Sequence, residues 1–461
     1  MSNYTRQRKL GILEKYQVSK QLNNAYGNVV VMGMLQHESR PDGGKEFYLD
    51  KFYAALSKLI RDHPQLCLAV AEEDQPSAHF VHLTSFDFAE VLHLVEEPYW
   101  ETQTDVLADE CRIEFDLKNT TLPLWRLRVS FHPERPEECA VTLAIHHTMG
   151  DGMSLSIFWH EFLLHINTVE AVPRTTYVLE RQAEAVPPPM EDRNPPTANV
   201  LDVLGTVLAG RLKALPVIGR LFGPTSWAGE FPAAENEMHH TVVRLAQVDG
   251  DAWAKLTQIA KQRKLSAHAV LYAALLLAWT DIYPDQKALD ISTPINCRAL
   301  CQPPVPKNEL GNFVGVYERL WKRPFPEFWS LAEIYHKALQ RSKPTATKKS
   351  TMLKFLPKYP ESYNNMWYDK RKGFPMGRSG GLELSDLGRF ECHEGDWQLK
   401  SIWFCQSSHT YTTAIGANTI TANGSMYATI VWQKDSLDET KAEKFVSRFA
   451  QRLIAEADNA N

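Results

Sequence analysis

Residues 139–165 read Cys-Ala-Val-Thr-Leu-Ala-Ile-His-His-Thr-Met-Gly-Asp-Gly-Met-Ser-Leu-Ser-Ile-Phe-Trp-His-Glu-Phe-Leu-Leu-His. The stretch has three parts. Residues 139–145 are almost wholly apolar, which suits a strand buried on both faces. His146 to Gly152 is polar and breaks that pattern. From Met153 on, Leu155, Phe158, Trp159, Phe162, Leu163 and Ile166 recur at helical spacing, so a helix follows. The polar turn thus stands at the edge of an apolar core. An ionisable group there is oriented and partly desolvated, as general-base chemistry requires.

Consecutive strand residues point to opposite faces, so His146 and His147 should diverge. That argues against their sharing a metal, and no third ligand stands at a metal spacing nearby. A Ser or Cys nucleophile beside the pair is also missing. Two readings remain: a histidine general base acting on a substrate proton, or a pair of hydrogen-bonded core histidines. The dipeptide His239-His240 illustrates the second, since no Asp-Gly follows it. Asp151 would be a buried charge needing a partner, and Gly150 and Gly152 allow a tight turn.

Composition narrows the class. With 461 residues, 44% of them hydrophobic, the chain can bury a large core in two or three lobes. Fifty Lys and Arg against fifty-five Asp and Glu give a net charge of −5, so no basic excess points to nucleic acid. The seven cysteines (67, 111, 139, 297, 301, 392, 405) include no Cys-x-x-Cys and mostly lie in apolar runs. They read as reduced core residues, and a cytoplasmic setting is expected. Residues 1–10 lack the apolar core of a secretory signal, and no apolar run is long enough to span a membrane.

Along the chain, helices are expected at 10–25, at 51–63 behind Asp50 as N-cap, at 249–264, at 266–283 behind Ser266, and at 328–340. A last helix is expected behind a Ser436/Glu439 capping box. Strands are expected at 29–35, 125–131, 238–245 and up to Arg298. Residues 417–432 form a hairpin through Asn423-Gly424, a pair suited to a type I′ turn. Residues 186–196, Val-Pro-Pro-Pro-Met-Glu-Asp-Arg-Asn-Pro-Pro, form an extended connector. The apolar stretch 201–222, with Arg211, Lys213 and Arg220, has two readings: a helix bordering the body or substrate mouth, or a peripheral membrane-surface helix. The division expected is 1–185, a crossover linker at 186–235, and 236–461.

His146 to Gly152 fits HHxxxDG, and on this motif the chain resembles the CoA-dependent acyltransferase superfamily. That group holds chloramphenicol acetyltransferase, the plant BAHD acyltransferases and the condensation domains of peptide synthetases. Arg8 to Glu14 and the segment Leu59-Ile60-Arg61-Asp62-His63-Pro64-Gln65-Leu66 resemble the fungal alcohol acetyltransferases. Ile291 to Arg298 resembles the strand carrying the arginine partner of the motif aspartate. Leu384 to Gly388 resembles the family's Ser-Asn-Leu-Gly loop, with Asp386 in place of Asn. The plant-type DFGWG box is absent.

The resemblance implies an α/β (α+β) fold of two chloramphenicol-acetyltransferase-like halves. Each is a mixed sheet with flanking helices, and a tunnel runs between them. It implies an enzyme without a permanent cofactor or metal that moves an acetyl group from acetyl-CoA to a hydroxyl-bearing acceptor. His147 would be the general base. Asp151 would pair with Arg298, and His146 and Gly152 would support the loop. Ser385 would donate to the oxyanion, with a plain turn serine as the other reading, and Gly388 would shape the crossing loop. The basic run Lys343, Lys348, Lys349 and Lys354 reads as a solvated loop, with CoA phosphates as the other reading. Trp403-Phe404 suggests a partly apolar acceptor. A cytoplasmic monomer is expected, with the membrane or a lipid droplet as a peripheral contact. Other readings are an N-acyltransferase, a condensation-like enzyme using a carrier-bound thioester, and a binding protein that keeps the fold without catalysis.

Overall fold

Apolar side chains on both faces make residues 138–145 the centre of a sheet. The computed structural model describes residues 3–25, 27–38, 44–214, 225–232, 240–409 and 411–459. The first part of the chain carries strands β1 (Tyr4–Lys9), β2 (Val29–Gln36), β3 (Leu68–Ala71), β4 (His79–Leu83), β5 (Ser85–Asp87), β6 (Leu92–Glu96), β7 (Trp125–Phe131), β8 (Glu138–Ile145) and β9 (Val178–Glu180). Its helices are α1 (Ile12–Leu22), α2 (Lys45–Asp62), α3 (Tyr99–Arg112) and α4 (Gly152–Thr168). The connector carries α5 (Val200–Ala214). The second part carries strands β10 (Thr241–Val248), β11 (Ala288–Asn296), β12 (Val314–Lys322), β13 (Gly380–Arg389), β14 (Gln398–Gln406), β15 (Thr413–Ala422) and β16 (Ser425–Gln433). Its helices are α6 (Gly250–Gln262), α7 (Ala267–Ile282), α8 (Phe328–Ser342), α9 (Thr347–Thr351), α10 (Glu361–Gly373) and α11 (Glu439–Asp458).

Two sheets organise the molecule. One is five-stranded in the order β14-β2-β8-β7-β6, the other six-stranded in the order β10-β16-β15-β13-β11-β12. β8 lies between β2 and β7, antiparallel to both. Gly33 of β2 lets α4 lie close on this sheet, because a Cβ there would stand 2.5 Å from Trp159 Cη2. The apolar face of α4 (Leu155, Phe158, Trp159, Phe162, Leu163, Ile166) is buried against it. Each such side chain removed from water contributes about 1.5–3 kcal/mol. In the second sheet, β13 runs parallel to β11 and β15, and the remaining pairs are antiparallel. α7 is apolar nearly all round and buried along most of its length.

β14 comes from the C-terminal part of the chain but completes the first sheet, with Val30 opposite Cys405. Sheet membership therefore does not follow the linear order of the two parts, and the exchanged strand ties them together.

Several local expectations need correction. α2 starts at Lys45, before the expected 51, so Asp50 lies inside the helix and accepts from the Tyr177 hydroxyl at 2.5 Å. The last helix is capped by Asp438, whose carboxylate accepts from Lys441 N, and not by Ser436. Arg298 lies in a short 3-10 turn beyond β11. Residues 384–388, expected as a loop, form the end of β13. Trp403 and Phe404 are buried in β14, where Trp403 packs on Tyr427 at 5.0 Å, so they belong to the core. The polar N-terminus forms β1 on the edge of a small sheet, and α3 and α10 are helices without a strong apolar period. The 423–424 turn has φ of +50° at Asn423 and +79° at Gly424, as a type I′ hairpin requires. Met238, His239 and residues 215–222 of the apolar stretch lie outside the described residues.

Candidate active site

The site is built where the end of β8 meets a loop of the second half. His146 continues β8 with its backbone N–H donating to Leu124 O at 2.9 Å. Its side chain is fully buried. Nδ1 accepts from Thr148 N at 3.1 Å, and Nε2 lies 3.1 Å from Gln21 Oε1 of α1. With Nδ1 accepting, Nε2 carries the proton given to Gln21. Both ring nitrogens are thus held by the protein.

His147 faces the other way, as strand geometry requires. Its ring hydrogen-bonds the backbone oxygens of His147 itself and Gly150. Asn312 Nδ2 donates to the His147 carbonyl at 3.0 Å and lies 3.4 Å from Nδ1. A neutral imidazole carries a proton on one ring nitrogen and a lone pair on the other. The ring surface is partly open, yet the surrounding protein strips most of its hydration. Burial first, and then the charge of Lys20, lowers its pKa to about 4, while for His146 burial and the neighbouring His147 lower it to about 3. Both rings are neutral at pH 7.

Asp151 does two things at once. It is the N-cap of α4, with Oδ1 accepting from Ser154 N at 3.0 Å and Ser154 Oγ at 3.1 Å. It also binds Arg298 through both oxygens, at 2.8 Å and 3.1 Å. Phe313 N donates to Oδ2 at 3.0 Å. Burial pushes the Asp151 carboxyl up, but the Arg298 charge and the hydrogen bonds from Arg298, Phe313 and Ser154 outweigh it and hold the pKa below its ordinary value. The guanidinium is itself spread over Asp151, Ser154 Oγ, and the carbonyls of Glu309 and Gly311.

The loop 309–313 was not singled out from sequence. Gly311 O accepts from Asp151 N at 3.2 Å and lies 3.0 Å from Ser154 Oγ, and Gly311 N donates to Ser154 Oγ at 3.0 Å. Gly311 has φ +152°, a conformation side chains rarely adopt. The sequence signal is faint: Gly-Asn-Phe after a proline-rich turn, with no fixed spacing to the histidines. Gly152 makes the opposite junction. A Cβ on it would come within 2.6 Å of Leu387 Cδ2 on β13.

Ser385 is buried in β13 opposite Asn418 of β15. Asp386 beside it accepts from the Gly388 N–H at 2.9 Å and the Thr419 hydroxyl at 3.0 Å, and pairs with His268 at 3.1 Å. Gly388, at φ +74°, lies where the register with β15 shifts. In the basic run, Lys348 meets Asp202 at 3.3 Å and Lys349 pairs with Glu318. Among the described residues no group of three or more side chains could hold a metal ion. No single helix among them is long and apolar enough to cross a membrane.

Comparison with known proteins agrees with this architecture. Among solved structures, the chain is similar to the trichothecene 15-O-acetyltransferase of Fusarium sporotrichioides, at TM-score 0.68 and 12% identity over 98% of this chain and 96% of that one. Polyketide synthase associated protein 5 of Mycobacterium tuberculosis gives TM-score 0.62 and 15% identity over 99% and 100%. The condensation domain of the polyketide synthase for monacolin K gives 0.60 and 10% over 99% and 99%. These likenesses show the fold, the two-halved architecture of chloramphenicol acetyltransferase and condensation domains. No curated protein matches the chain in sequence. The sequence profile of the alcohol acetyltransferases matches residues 96–453, most of the chain and all of the motif region, and the protein belongs to the alcohol acetyltransferase family.

Proposed function

We propose that the protein is an acyl-CoA-dependent O-acetyltransferase that moves the acetyl group of acetyl-CoA to the hydroxyl of a small or secondary-metabolite alcohol. The observation that carries this reading is His147. It is a neutral imidazole at the seam of the two halves, with its ring held by backbone carbonyls.

His147 Nε2 takes the proton of the acceptor hydroxyl as its oxygen attacks the thioester carbon. The carbonyl oxygen becomes an oxyanion, for which Ser385 is the candidate donor. On collapse the C–S bond breaks, and the imidazolium returns the proton to the CoA sulfur. No acyl-enzyme forms. A neutral imidazole serves as the base in the first transfer, and the imidazolium it becomes serves as the acid in the second. Asp151 and Arg298 position the loop and touch neither substrate. The reading includes a cytoplasmic monomer with its cysteines reduced.

The test is incubation with acetyl-CoA and a mixed panel of alcohols and amines, with products weighed by mass spectrometry and free thiol titrated. Acetyl esters formed with one CoA thiol each are expected. Amides alone would assign N-acylation instead. Turnover only with a carrier-bound thioester would assign condensation-like chemistry. No product and no thiol would leave a binding protein.

A further inference from the structure

A second polar cluster borders the histidine loop and takes no part in the chemistry above. α1 presents Tyr16 and Lys20, and α10 presents Trp367 and Lys370. The two rings lie 4.8 Å apart at their centroids. The Lys20 ammonium stands 5.2 Å from the Tyr16 ring and 5.9 Å from the Trp367 ring. The Lys370 ammonium stands 5.5 Å and 4.8 Å from the same rings. The frame is fixed: the Trp367 indole N–H donates to Ser19 Oγ at 2.8 Å, and Asn23 Nδ2 donates to Asn364 Oδ1 at 2.8 Å.

Two like charges converging on one aromatic pair repel each other, and rings offset only part of that cost. The acids that face them are Glu383 for Lys20 and Glu318 for Lys370. Both are engaged elsewhere. Glu318 pairs with Lys349, and Glu383 accepts from the Ser292 hydroxyl at 3.2 Å. Among the described residues neither ammonium has a carboxylate at ion-pair distance. Burial lowers both lysines to about 8, so both still carry charge at pH 7.

The cluster lies against the reacting centre. Gln21, the residue after Lys20, holds His146, and the Glu14 carbonyl of the same helix accepts from Thr148 Oγ1 at 3.2 Å. The charge of Lys20 also acts on the His147 ring, so an anion held here sits near the imidazole that takes the acceptor's proton. The phosphates of CoA are kept away from the thioester carbonyl by the long pantetheine arm, so the acceptor is the source that fits.

We propose that Lys20 and Lys370 form an anion-recognition site for the acceptor, so that the preferred alcohol carries a carboxylate or phosphate near the hydroxyl that is acylated, with the buried Trp367 and its neighbour Tyr16 as the packed wall that holds the two ammonium groups. This rests on the acyl-transfer reading and adds the acceptor's chemical class.

The test compares kcat/KM for an aryl hydroxycarboxylic acid and its methyl ester in the wild type, Lys20→Met, Lys370→Met and the double variant, each checked for folding by circular dichroism. The wild type should prefer the acid by about ten- to hundredfold, the worth of a charge-assisted hydrogen bond. Each substitution should erase most of that ratio. Equal turnover of acid and ester by the wild type, or a ratio that survives the double variant, would overturn the site. So would a loss confined to KM for CoA and absent with dephospho-CoA, which would assign the lysines to the donor. Acylation of neither compound, nor of any alcohol in the panel, would overturn the acyl-transfer reading itself.

Discussion

Replacing Arg298 by methionine removes a guanidinium from a place where its partner cannot be rehydrated. Asp151 is 2% exposed and Arg298 5% exposed. Their contact is bidentate, and Phe313 N and Ser154 N complete the shell of the carboxylate. Losing one member of such a pair leaves the other as an uncompensated buried charge, at a cost of about 3–5 kcal/mol. Asp151→Asn should cost about the same. Its amide keeps an oxygen for Ser154 N, so the helix cap, worth about 1 kcal/mol, survives, but its NH₂ then faces Arg298 donors. Simple addition would give about 6–10 kcal/mol, enough to unfold a typical domain. The double variant Asp151→Asn/Arg298→Met carries no buried charge at this point. It should therefore lose only about 4–6 kcal/mol, a coupling of at least about 2 kcal/mol. Urea unfolding followed by tryptophan fluorescence on the four proteins measures this directly. Losses that add to within about 0.5 kcal/mol would refute the argument, because they would show that neither charge depends on the other.

His147→Ala should lower turnover by about 10²–10⁴ while the unfolding midpoint stays near that of the wild type; near-normal turnover would remove the proposed mechanism. The lowered pKa of His147, about 4, sets the acid limit of activity: kcat/KM should hold from pH 7 to near 5 and fall only as pH drops through about 4. A limb near the ordinary histidine value of 6.5 would contradict the desolvated site. Stability has the same sign. Below pH 6.5 the unfolded chain binds protons on His146 and His147 that the folded chain refuses, so stability is lost on acidification between about 6.5 and 4. The buried His146 alone contributes a slope of about 1.4 kcal/mol per pH unit in that window, which His146→Gln should remove. α5 meets Lys348 and Met352 through Asp202 and Thr206 and leaves Leu201 76% and Leu204 58% exposed. We propose that it borders the acceptor mouth. Leu201→Ser/Leu204→Ser should raise KM for an apolar acceptor, and the wild type should not sediment with liposomes. Strong liposome binding lost in this variant would reverse that assignment.

Much of this molecule is legible in the sequence because one stretch carries two periods back to back. An apolar run buried on both faces, a polar break and a helical apolar stripe place β8, the histidine turn and α4 without any tertiary knowledge, since strand and helix spacing follow from backbone geometry. The divergence of His146 and His147, the Asn423-Gly424 hairpin and the all-apolar α7 were legible on the same grounds. The partnership of Asp151 with Arg298 was also within reach, because a charge at the end of a buried strand must find its opposite. What only the tertiary structure decided involves contacts between residues far apart in sequence. Strand β14 pairs with β2 across more than half the chain, and neither strand's pattern names the other. Gly311 meets the histidine loop through backbone atoms, which leave no trace in residue type, and Asn312 reaches it with a side-chain amide from far along the chain. Trp403 and Phe404 read as substrate-facing until their strand proved buried in the first sheet. The Lys20–Trp367 wall exists because α1 and α10 pack side by side. Neither helix has a strong apolar stripe, so only the folded chain shows that two lysines share one aromatic pair beside His147.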